Sequence, residues 1–182
     1  GMGTRVGADG NKAYIPLAGR SMVSWSGEAV ARSANIARTV LVFRRGERDL
    51  AARTLAAEVP DATVELVEGG DTRHGSEENV LRHLADDIEA GAIDVVLIHD
   101  AARPLAETAM METALAVARA FGGAIPVLPV SDVVKMTVGV DISPEPGRLA
   151  RVQTPQAFRA GPLLTAYRLA AGGGFDGTDT SS

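Results

Sequence analysis

The first twelve residues combine glycines and cations in a way that suits binding of a polyphosphate. Gly1, Gly3 and Gly7 let the backbone approach a ligand closely and offer N–H groups to an anion. Arg5 and Lys12 add two positive charges to the same segment. It is not a Walker loop, because no Gly-Lys-Ser/Thr ends it. A glycine-rich start is by itself more often a turn or an expression scar, so this prediction depends on the other motifs.

A second candidate site is the segment 99–104, His-Asp-Ala-Ala-Arg-Pro, which directly follows an apolar run. Ligands of open parallel sheets bind beyond the carboxyl ends of the strands, where the Asp100 carboxylate could hold Mg²⁺ beside phosphates. A turn aspartate followed by a structural arginine is an equally weighted alternative. We interpret His99 as a packed histidine, because phosphoryl chemistry needs charge and position more than a base.

A third candidate is the glycine-rich segment 68–76, Glu-Gly-Gly-Asp-Thr-Arg-His-Gly-Ser, between a predicted strand and a predicted helix. Its backbone could lie against a nucleobase, with Ser76 supplying a hydroxyl. An ordinary strand-to-helix connection explains the same pattern equally well.

Composition bounds the class of protein. The 182 residues are 46% hydrophobic and 23% charged, which predicts one globular domain. A net charge of −5 argues against a general surface for nucleic acid. The absence of cysteine excludes disulfides and thiolate metal sites. No apolar run reaches the length of a membrane span and no signal-peptide pattern is present, so we expect no membrane partner and a cytoplasmic location.

The elements that must position these segments alternate between strand and helix. Apolar runs predict strands at 39–43, 63–67, 94–98 and 124–128, and apolar stripes predict helices at 23–34, 51–59, 80–88 and 110–121. Ser76 is the expected N-cap of the third helix, and Gly122-Gly123 is expected to end the fourth. This alternation predicts an α/β fold built from βαβ units, with a mostly parallel sheet.

The pattern changes between residues 136 and 152. Strand-like segments at 137–140 and 149–152 flank the proline-rich stretch 143–147, which predicts a β-hairpin arm inserted into the α/β body. Because an isolated hairpin is marginally stable in water, we expect the arm to pack on something, and a partner subunit is a fair candidate.

Together these segments resemble the bacterial 2-C-methyl-D-erythritol 4-phosphate cytidylyltransferases of isoprenoid precursor synthesis. The resemblance is carried by segments 1–12, 69–76, 99–104 and 132–136, by Gln-Thr-Pro-Gln-Ala-Phe at 153–158, and by Thr-Asp at 178–179. It implies a Rossmann-like nucleotidyltransferase fold and a homodimer that exchanges the β-arm. It also implies transfer of CMP from CTP to a sugar-alcohol phosphate.

The resemblance also implies roles for individual residues. Arg5 and Lys12 would be catalytic, stabilising the pentacoordinate phosphorus, and Asp100 would anchor Mg²⁺ or another divalent cation. The nucleotide-binding positions would be Gly1, Met2, Gly3, Gly69, Gly70, Asp71, Ser76 and Ala101. The acceptor-binding positions would be Arg103, Asp132, Val133, Arg148, Thr178 and Asp179, with Arg148 on or near the arm.

Four positions depart from the family's usual residues. Val133 replaces a threonine of the acceptor site and Met136 an arginine, while Asn11 replaces a proline and Glu77 a valine. Two alternatives therefore stay open: a cytidylyltransferase of the same fold acting on ribitol or another pentitol phosphate, and a non-catalytic nucleotide-binding paralogue. Retention of Arg5, Lys12 and Asp100 argues against the paralogue.

The family carries a buried strand directly before the opening loop, and a helix and a strand after Thr-Asp. We therefore expect residues 1–182 to be a single nucleotidyltransferase domain, incomplete at both ends, with the arm at 136–152 inserted in it.

Overall fold

The computed structural model describes residues 11–130 and 150–173. A 3-10 turn, Lys12–Tyr14, precedes the first strand. The helices are α1 Met22–Ala31, α2 Arg48–Glu58, α3 Arg73–His83, α4 Ala85–Glu89, α5 Thr108–Phe121 and α6 Ala160–Gly173. The strands are β1 Pro16–Leu17, β2 Arg20–Ser21, β3 Val40–Phe43, β4 Glu65–Glu68, β5 Val95–Ile98, β6 Gly123–Ala124, β7 Val127–Pro129, β8 Ala150–Val152 and β9 Gln156–Arg159.

Strands β3 and β4 pair in parallel, in register from Val40 with Glu65 to Phe43 with Glu68, and α2 connects them. Parallel strands end at the same edge of a sheet. The loop that follows β4 therefore lies at the end of β3, where the Gly69 N–H donates to the Phe43 carbonyl at 2.9 Å. This pairing positions the glycine-rich segment.

The other ladders of the described residues are antiparallel. Strand β9 lies between β5 and β6, β7 pairs with β8, and β1 pairs with β2. The mostly parallel sheet that the alternation predicts is therefore not confirmed by this part of the chain, in which one ladder of five is parallel.

Apolar packing of α3, α4 and α6 against the sheet forms the main core. Its buried members are Leu81, Leu84, Ala85, Ile88, Val96, Ala160, Leu163, Leu164 and Tyr167. A smaller cluster under α5 joins Ala114 and Ala118 to Ala157 of β9. Burial of these side chains fixes α3 and α6 side by side, so residues at the start of α3 are held on a rigid support.

The predicted strands at 39–43, 63–67 and 94–98 are confirmed with small shifts in their bounds. The run 124–128 is instead split into β6 and β7 around Ile125-Pro126, since proline has no N–H to give to a ladder. Helix α5 ends at Phe121 and is capped, as expected, by Gly122, whose φ of 98° is a conformation that glycine adopts without strain. Helix α1 ends at Ala31, short of the expected Ala34.

The expectation that Ser76 caps the third helix is wrong. The N-cap of α3 is Thr72, whose extended backbone lets its Oγ1 accept the Gly75 N–H at 3.0 Å. Ser76 lies within the first turns of the helix, and this frees its hydroxyl to contact the preceding loop.

Of the predicted β-arm, only Ala150–Val152 lies among the described residues. It forms β8 and pairs with Val127–Pro129. The remainder of the arm, 136–149, lies outside the described residues. Within the described ranges, no helix combines the length and the hydropathy that a membrane crossing requires.

Candidate active site

The glycine-rich loop closes on itself through the Ser76 hydroxyl. Its Oγ accepts the Gly70 N–H at 3.1 Å and donates to the Thr72 carbonyl at 2.8 Å. One side chain thus fixes both the loop and the first turn of α3. The loop stays exposed at Gly70 and Asp71, where a flat ligand has access to the backbone.

Gly70 is required by a close backbone approach. A Cβ at this position would lie 2.8 Å from the Gly75 carbonyl carbon, closer than real Cβ contacts. At Gly69 a Cβ would lie 2.9 Å from the Ser76 Oγ and 3.1 Å from a methyl group of Val42. A side chain at either position would collide with its neighbours, so this loop conformation requires glycine at both.

The Asp100 carboxylate lies between two guanidinium groups. Arg73 Nη1 donates to Oδ1 at 3.0 Å, and Arg103 Nε donates to Oδ2 at 3.1 Å. Asp100 remains about one-third exposed, with 34% of its side chain accessible. Because Arg73 is the first residue of α3, this ion pair joins the glycine-rich loop to the turn that follows β5.

His99 is a neutral histidine whose two ring nitrogens are both hydrogen-bonded within the protein. Its Nε2 lies 3.1 Å from the Arg103 carbonyl, which can only accept, so Nε2 carries the proton. Its Nδ1 therefore accepts from the Thr154 hydroxyl at 3.2 Å, while Thr154 Oγ1 accepts the Asp100 N–H at 3.3 Å. Burial lowers the pKa of His99. The interpretation of His99 as a packed histidine agrees with this network.

The turn around Asp100 is anchored on two further sides. The buried Ser26 of α1 donates to the Ala101 carbonyl at 3.0 Å. Arg103 Nη1 donates to the Gln153 Oε1 at 2.5 Å. The Asp100 and Arg103 side chains are consequently presented by a turn with fixed neighbours.

Lys12 lies on a separate turn and is exposed. Asn11 builds this turn by accepting the Ala13 N–H at 3.1 Å, and it donates to Glu47 at 2.8 Å in the loop after β3. Within 11–130 and 150–173, no hydrogen bond or ion pair engages the Lys12 ammonium. The exposed position of Lys12 gives an anionic ligand access to its ammonium from solvent.

Comparison with known proteins decides which family carries this arrangement. The family model described as IspD, 2-C-methyl-D-erythritol 4-phosphate cytidylyltransferase, matches residues 1–182. The chain belongs to this family. A relative of that name from Cereibacter sphaeroides strain KD131 is 39% identical over 184 residues, covering 100% of this chain and 79% of the relative. One from Synechococcus sp. strain JA-3-3Ab is 33% identical over 188 residues, with the same coverage.

Solved structures give the same result for the fold. A 4-diphosphocytidyl-2C-methyl-D-erythritol synthase from Anaerococcus prevotii superposes with a TM-score of 0.81 at 26% identity, covering 94% of this chain and 74% of that one. A 2-C-methyl-D-erythritol 4-phosphate cytidylyltransferase from Thermus thermophilus gives 0.73 at 28% identity, covering 96% and 78%. The predicted α/β nucleotidyltransferase fold is confirmed.

The described IspD-family residues predicted from the sequence fall into three groups. Gly69, Gly70, Asp71 and Ser76 belong to the glycine-rich segment, in which Ser76 contacts Gly70. Asp100, Ala101 and Arg103 lie on the turn after β5, where Arg103 contacts Asp100. Lys12 lies apart on its own turn. The other predicted positions lie outside the described residues: Gly1, Met2, Gly3, Arg5, Asp132, Val133, Arg148, Thr178 and Asp179.

Three side chains of the site were assigned no role from the sequence. Arg73 pairs with Asp100, Thr154 receives the Asp100 N–H, and Gln153 accepts from Arg103. All three stand inside motifs that carry the resemblance to the IspD family. A cation inside a glycine-rich segment and polar side chains beside a proline were the available signals.

The donor set at Asp100 fits a divalent cation held mainly by a substrate. Among the described residues, no group of three or more histidine, cysteine or acidic side chains is arranged to hold a metal ion by itself. A carboxylate offers about four lone-pair sites, and the two arginine bonds use two of them. Mg²⁺ is commonly bound by one or two carboxylates plus substrate phosphates, and Asp100 can supply one of these.

Proposed function

We propose that this protein transfers CMP from CTP to 2-C-methyl-D-erythritol 4-phosphate and releases pyrophosphate, in the non-mevalonate route to isoprenoid precursors. The observation that carries the proposal is the Arg73–Asp100 pair at 3.0 Å. It brings a loop suited to a nucleobase and a carboxylate suited to a phosphate-bound cation to one edge of the fold. Membership of the IspD family supports the reaction type.

The reaction needs little proton chemistry from the protein. A phosphate oxygen of the acceptor, already anionic at pH 7, forms a bond to the α-phosphorus of CTP, and the bond to the pyrophosphate oxygen breaks. Catalysis then consists of positioning two anions and stabilising the charge that develops between them. A neutral His99 with both ring nitrogens engaged is consistent with a site that uses no base.

The nucleotide side of the site is assigned to the glycine-rich loop. The backbone of Gly69, Gly70 and Asp71, with the Ser76 hydroxyl, recognises cytosine, and Ala101 contacts the nucleotide. The exposure of Gly70 and Asp71 and the pinned geometry of the loop support this assignment.

Lys12 and Arg5 are assigned to the triphosphate and the transferring phosphorus. The exposed ammonium of Lys12 supports its role. Arg103 is assigned to the acceptor phosphate with Asp132, Val133, Arg148, Thr178 and Asp179.

Asp100 would hold a divalent cation, which when bound supplies charge neutralisation for the phosphates of CTP. Arg73 and Arg103 orient the carboxylate from its two sides, as their bonds to Oδ1 and Oδ2 require. Arg103 thus contacts Asp100 while its exposed face remains open to an anion.

Pyrophosphate release tests the function directly. The full chain is incubated with CTP, Mg²⁺ and one acceptor at a time: 2-C-methyl-D-erythritol 4-phosphate, ribitol phosphate or a hexose phosphate. We expect release with the methylerythritol phosphate and none with CTP alone. No release with any acceptor would contradict the proposal and favour a nucleotide-binding paralogue instead.

The acceptor has one alternative that the sequence itself favours. Val133 cannot donate the hydrogen bond of the family's threonine, and Met136 removes a cation. A pentitol phosphate such as ribitol phosphate is therefore the second candidate. Faster release with ribitol phosphate in the same panel would establish it.

We further propose a homodimer assembled through the β-arm and a cytoplasmic location. Strands β7 and β8 present Val127, Leu128 and Val152 as exposed apolar side chains, a pattern that favours burial against a partner. Light scattering at micromolar concentration should give twice the chain mass, and a monomer would contradict the dimer. Cell fractionation tests the location.

A further inference from the structure

Glu77 is a largely buried acid in the first turns of α3. Only 11% of its side chain is exposed. Its Oε1 accepts from Arg73 Nε at 2.9 Å, and its Oε2 accepts from the Tyr167 hydroxyl of α6. A carboxylate this buried needs such donors, so Glu77 is fixed between α3 and α6.

Tyr167 is itself held in place. Its ring stacks on His74, with centroids 4.5 Å apart and an angle of 8° between the planes. It is also a member of the main core, with 6% of its surface exposed. Because the ring of Tyr167 is packed in this way, its hydroxyl is held in a fixed position to donate to Glu77.

Arg73 bridges Glu77 and Asp100 with different edges of its guanidinium. Nε donates to Glu77, and Nη1 donates to Asp100 Oδ1 at 3.0 Å. An arginine can bind a carboxylate with two parallel N–H bonds that include Nε. The contact with Glu77 turns the Nε side of Arg73 away from Asp100.

The orientation of Arg73 matters for a cation at Asp100. Arg73 and Arg103 each engage one oxygen of the carboxylate, which leaves a further lone pair on each oxygen. A second bond from Arg73 would occupy part of this remaining capacity and would draw its positive charge closer to the carboxylate.

We propose that Glu77 is a positioning residue for the divalent cation at Asp100: by holding Nε of Arg73, it prevents Arg73 from pairing with Asp100 through Nε together with an Nη nitrogen. The inference rests on the proposed function, which brings the cation to Asp100 with CTP. Glu77→Val removes both bonds of this carboxylate. Because these bonds run to Arg73 and Tyr167 rather than to a group assigned to a substrate, turnover at saturating cation should stay intact.

The test measures cation binding without turnover. Mn²⁺ binding to the full chain is followed by electron paramagnetic resonance in the presence of α,β-methylene-CTP, which cannot transfer CMP. We expect Glu77→Val to raise the Mn²⁺ dissociation constant by about threefold to tenfold. The effect is modest because the Arg73–Asp100 ion pair is partly exposed to solvent. Tyr167→Phe, which keeps the ring but removes the hydroxyl, should give a smaller rise.

A second substitution tests whether Arg73 competes with the cation for Asp100, or whether Glu77→Val merely loosens the structure around Asp100. In the Glu77→Val background, Arg73→Met removes the competing guanidinium and should give a lower Mn²⁺ dissociation constant than Glu77→Val alone. The matched control is Glu78→Val, one residue further along α3, whose carboxylate pairs with Arg82 at 2.7 Å. It should leave the Mn²⁺ dissociation constant unchanged.

In steady state, Glu77→Val should raise the Mg²⁺ concentration for half-maximal rate while kcat at saturating Mg²⁺ stays within about twofold. An unchanged Mn²⁺ dissociation constant would overturn the proposal, as would weaker binding in the double variant than in Glu77→Val alone. If Glu77→Val lowers the Tm strongly, Tyr167→Phe decides the question by the same readout. Absence of pyrophosphate release by the wild type would instead contradict the proposed function.

Discussion

The side chains of the candidate site act mainly through charges that the backbone holds in fixed positions. The Asp100 carboxylate is shared by Arg73 and Arg103, and the Lys12 ammonium is exposed on a turn built by Asn11. Such charges act on a reaction only where the backbone holds them at the position of the developing charge. His99 shows the opposite case, because its ring nitrogens serve the backbone and Thr154.

At this scale we expect Lys12→Ala to lower kcat by about 100-fold to 1000-fold, the usual loss when one electrostatic contact to a transition state is removed. The Tm should stay unchanged, because the turn is held by Asn11 rather than by Lys12. Pyrophosphate release at saturating CTP measures the effect. The control is Arg32→Ala, which removes an exposed cation paired with Glu28 at the end of α1. Wild-type activity in Lys12→Ala would refute its catalytic assignment.

At the scale of elements, the parallel pair β3–β4 and the start of α3 shape the glycine-rich loop. The strand ends bring Gly69 against Phe43, and the Thr72 cap starts the helix early enough for Ser76 to reach back to Gly70. The glycine-rich loop and the start of α3 therefore form one unit. A Cβ added at Gly69 or Gly70 would displace both.

We expect Gly70→Ala to raise the KM for CTP by about tenfold or more, because its Cβ would lie 2.8 Å from the backbone of Gly75. The effect on kcat should be smaller, since the loop is assigned to the base rather than to the phosphorus. Gly161→Ala in α6 is the matched control, as a Cβ there meets nothing within 4 Å. Equal KM values for the two variants would show that the loop does not bind the nucleotide.

At the scale of the whole molecule, one ionic network links four segments. Arg38, before β3, donates to Glu65 of β4 at 2.7 and 2.6 Å and to Asp87 of α4, while His83 of α3 lies 2.7 Å from Glu65. These bonds, from Arg38 first and His83 second, lower the pKa of Glu65 from 4.5 to about 2. The packing of α3 and α4 against β4 should therefore become less stable at acid pH.

The sign of this dependence follows from the lowered pKa. The unfolded chain binds the proton more readily than the folded one, so the stabilisation is present above about pH 4.5 and is lost as the pH falls towards 2. We expect Glu65→Gln to lower the Tm at pH 7 by about 2–5 °C, a range that allows for screening at a site one-third exposed. The difference from wild type should vanish near pH 2.

Thermal melts across this pH range check the expectation, with Glu78→Gln as the control for an exposed pair on α3. A difference in Tm between Glu65→Gln and wild type that persists unchanged at pH 2 would contradict the role of ionised Glu65.

The sequence was sufficient where the signal is local. Apolar runs located β3, β4 and β5, and Gly122 ended α5, because strand burial and a positive φ depend on neighbouring residues. Local pattern was insufficient at Ser76. Thr72 and Ser76 are both good cap residues, and only the path of the loop into the helix assigns the cap to Thr72.

The sequence by itself determined the family and the kinds of group available: glycines for close backbone approach, cations for phosphates and one acid for a cation. Tertiary structure alone decided the partnerships of Arg73 with Asp100, Thr154 with His99, and Glu77 with Tyr167. Those residues are 27, 55 and 90 positions apart. Ion pairs and hydrogen bonds act over a few ångströms, so they depend on how distant segments pack.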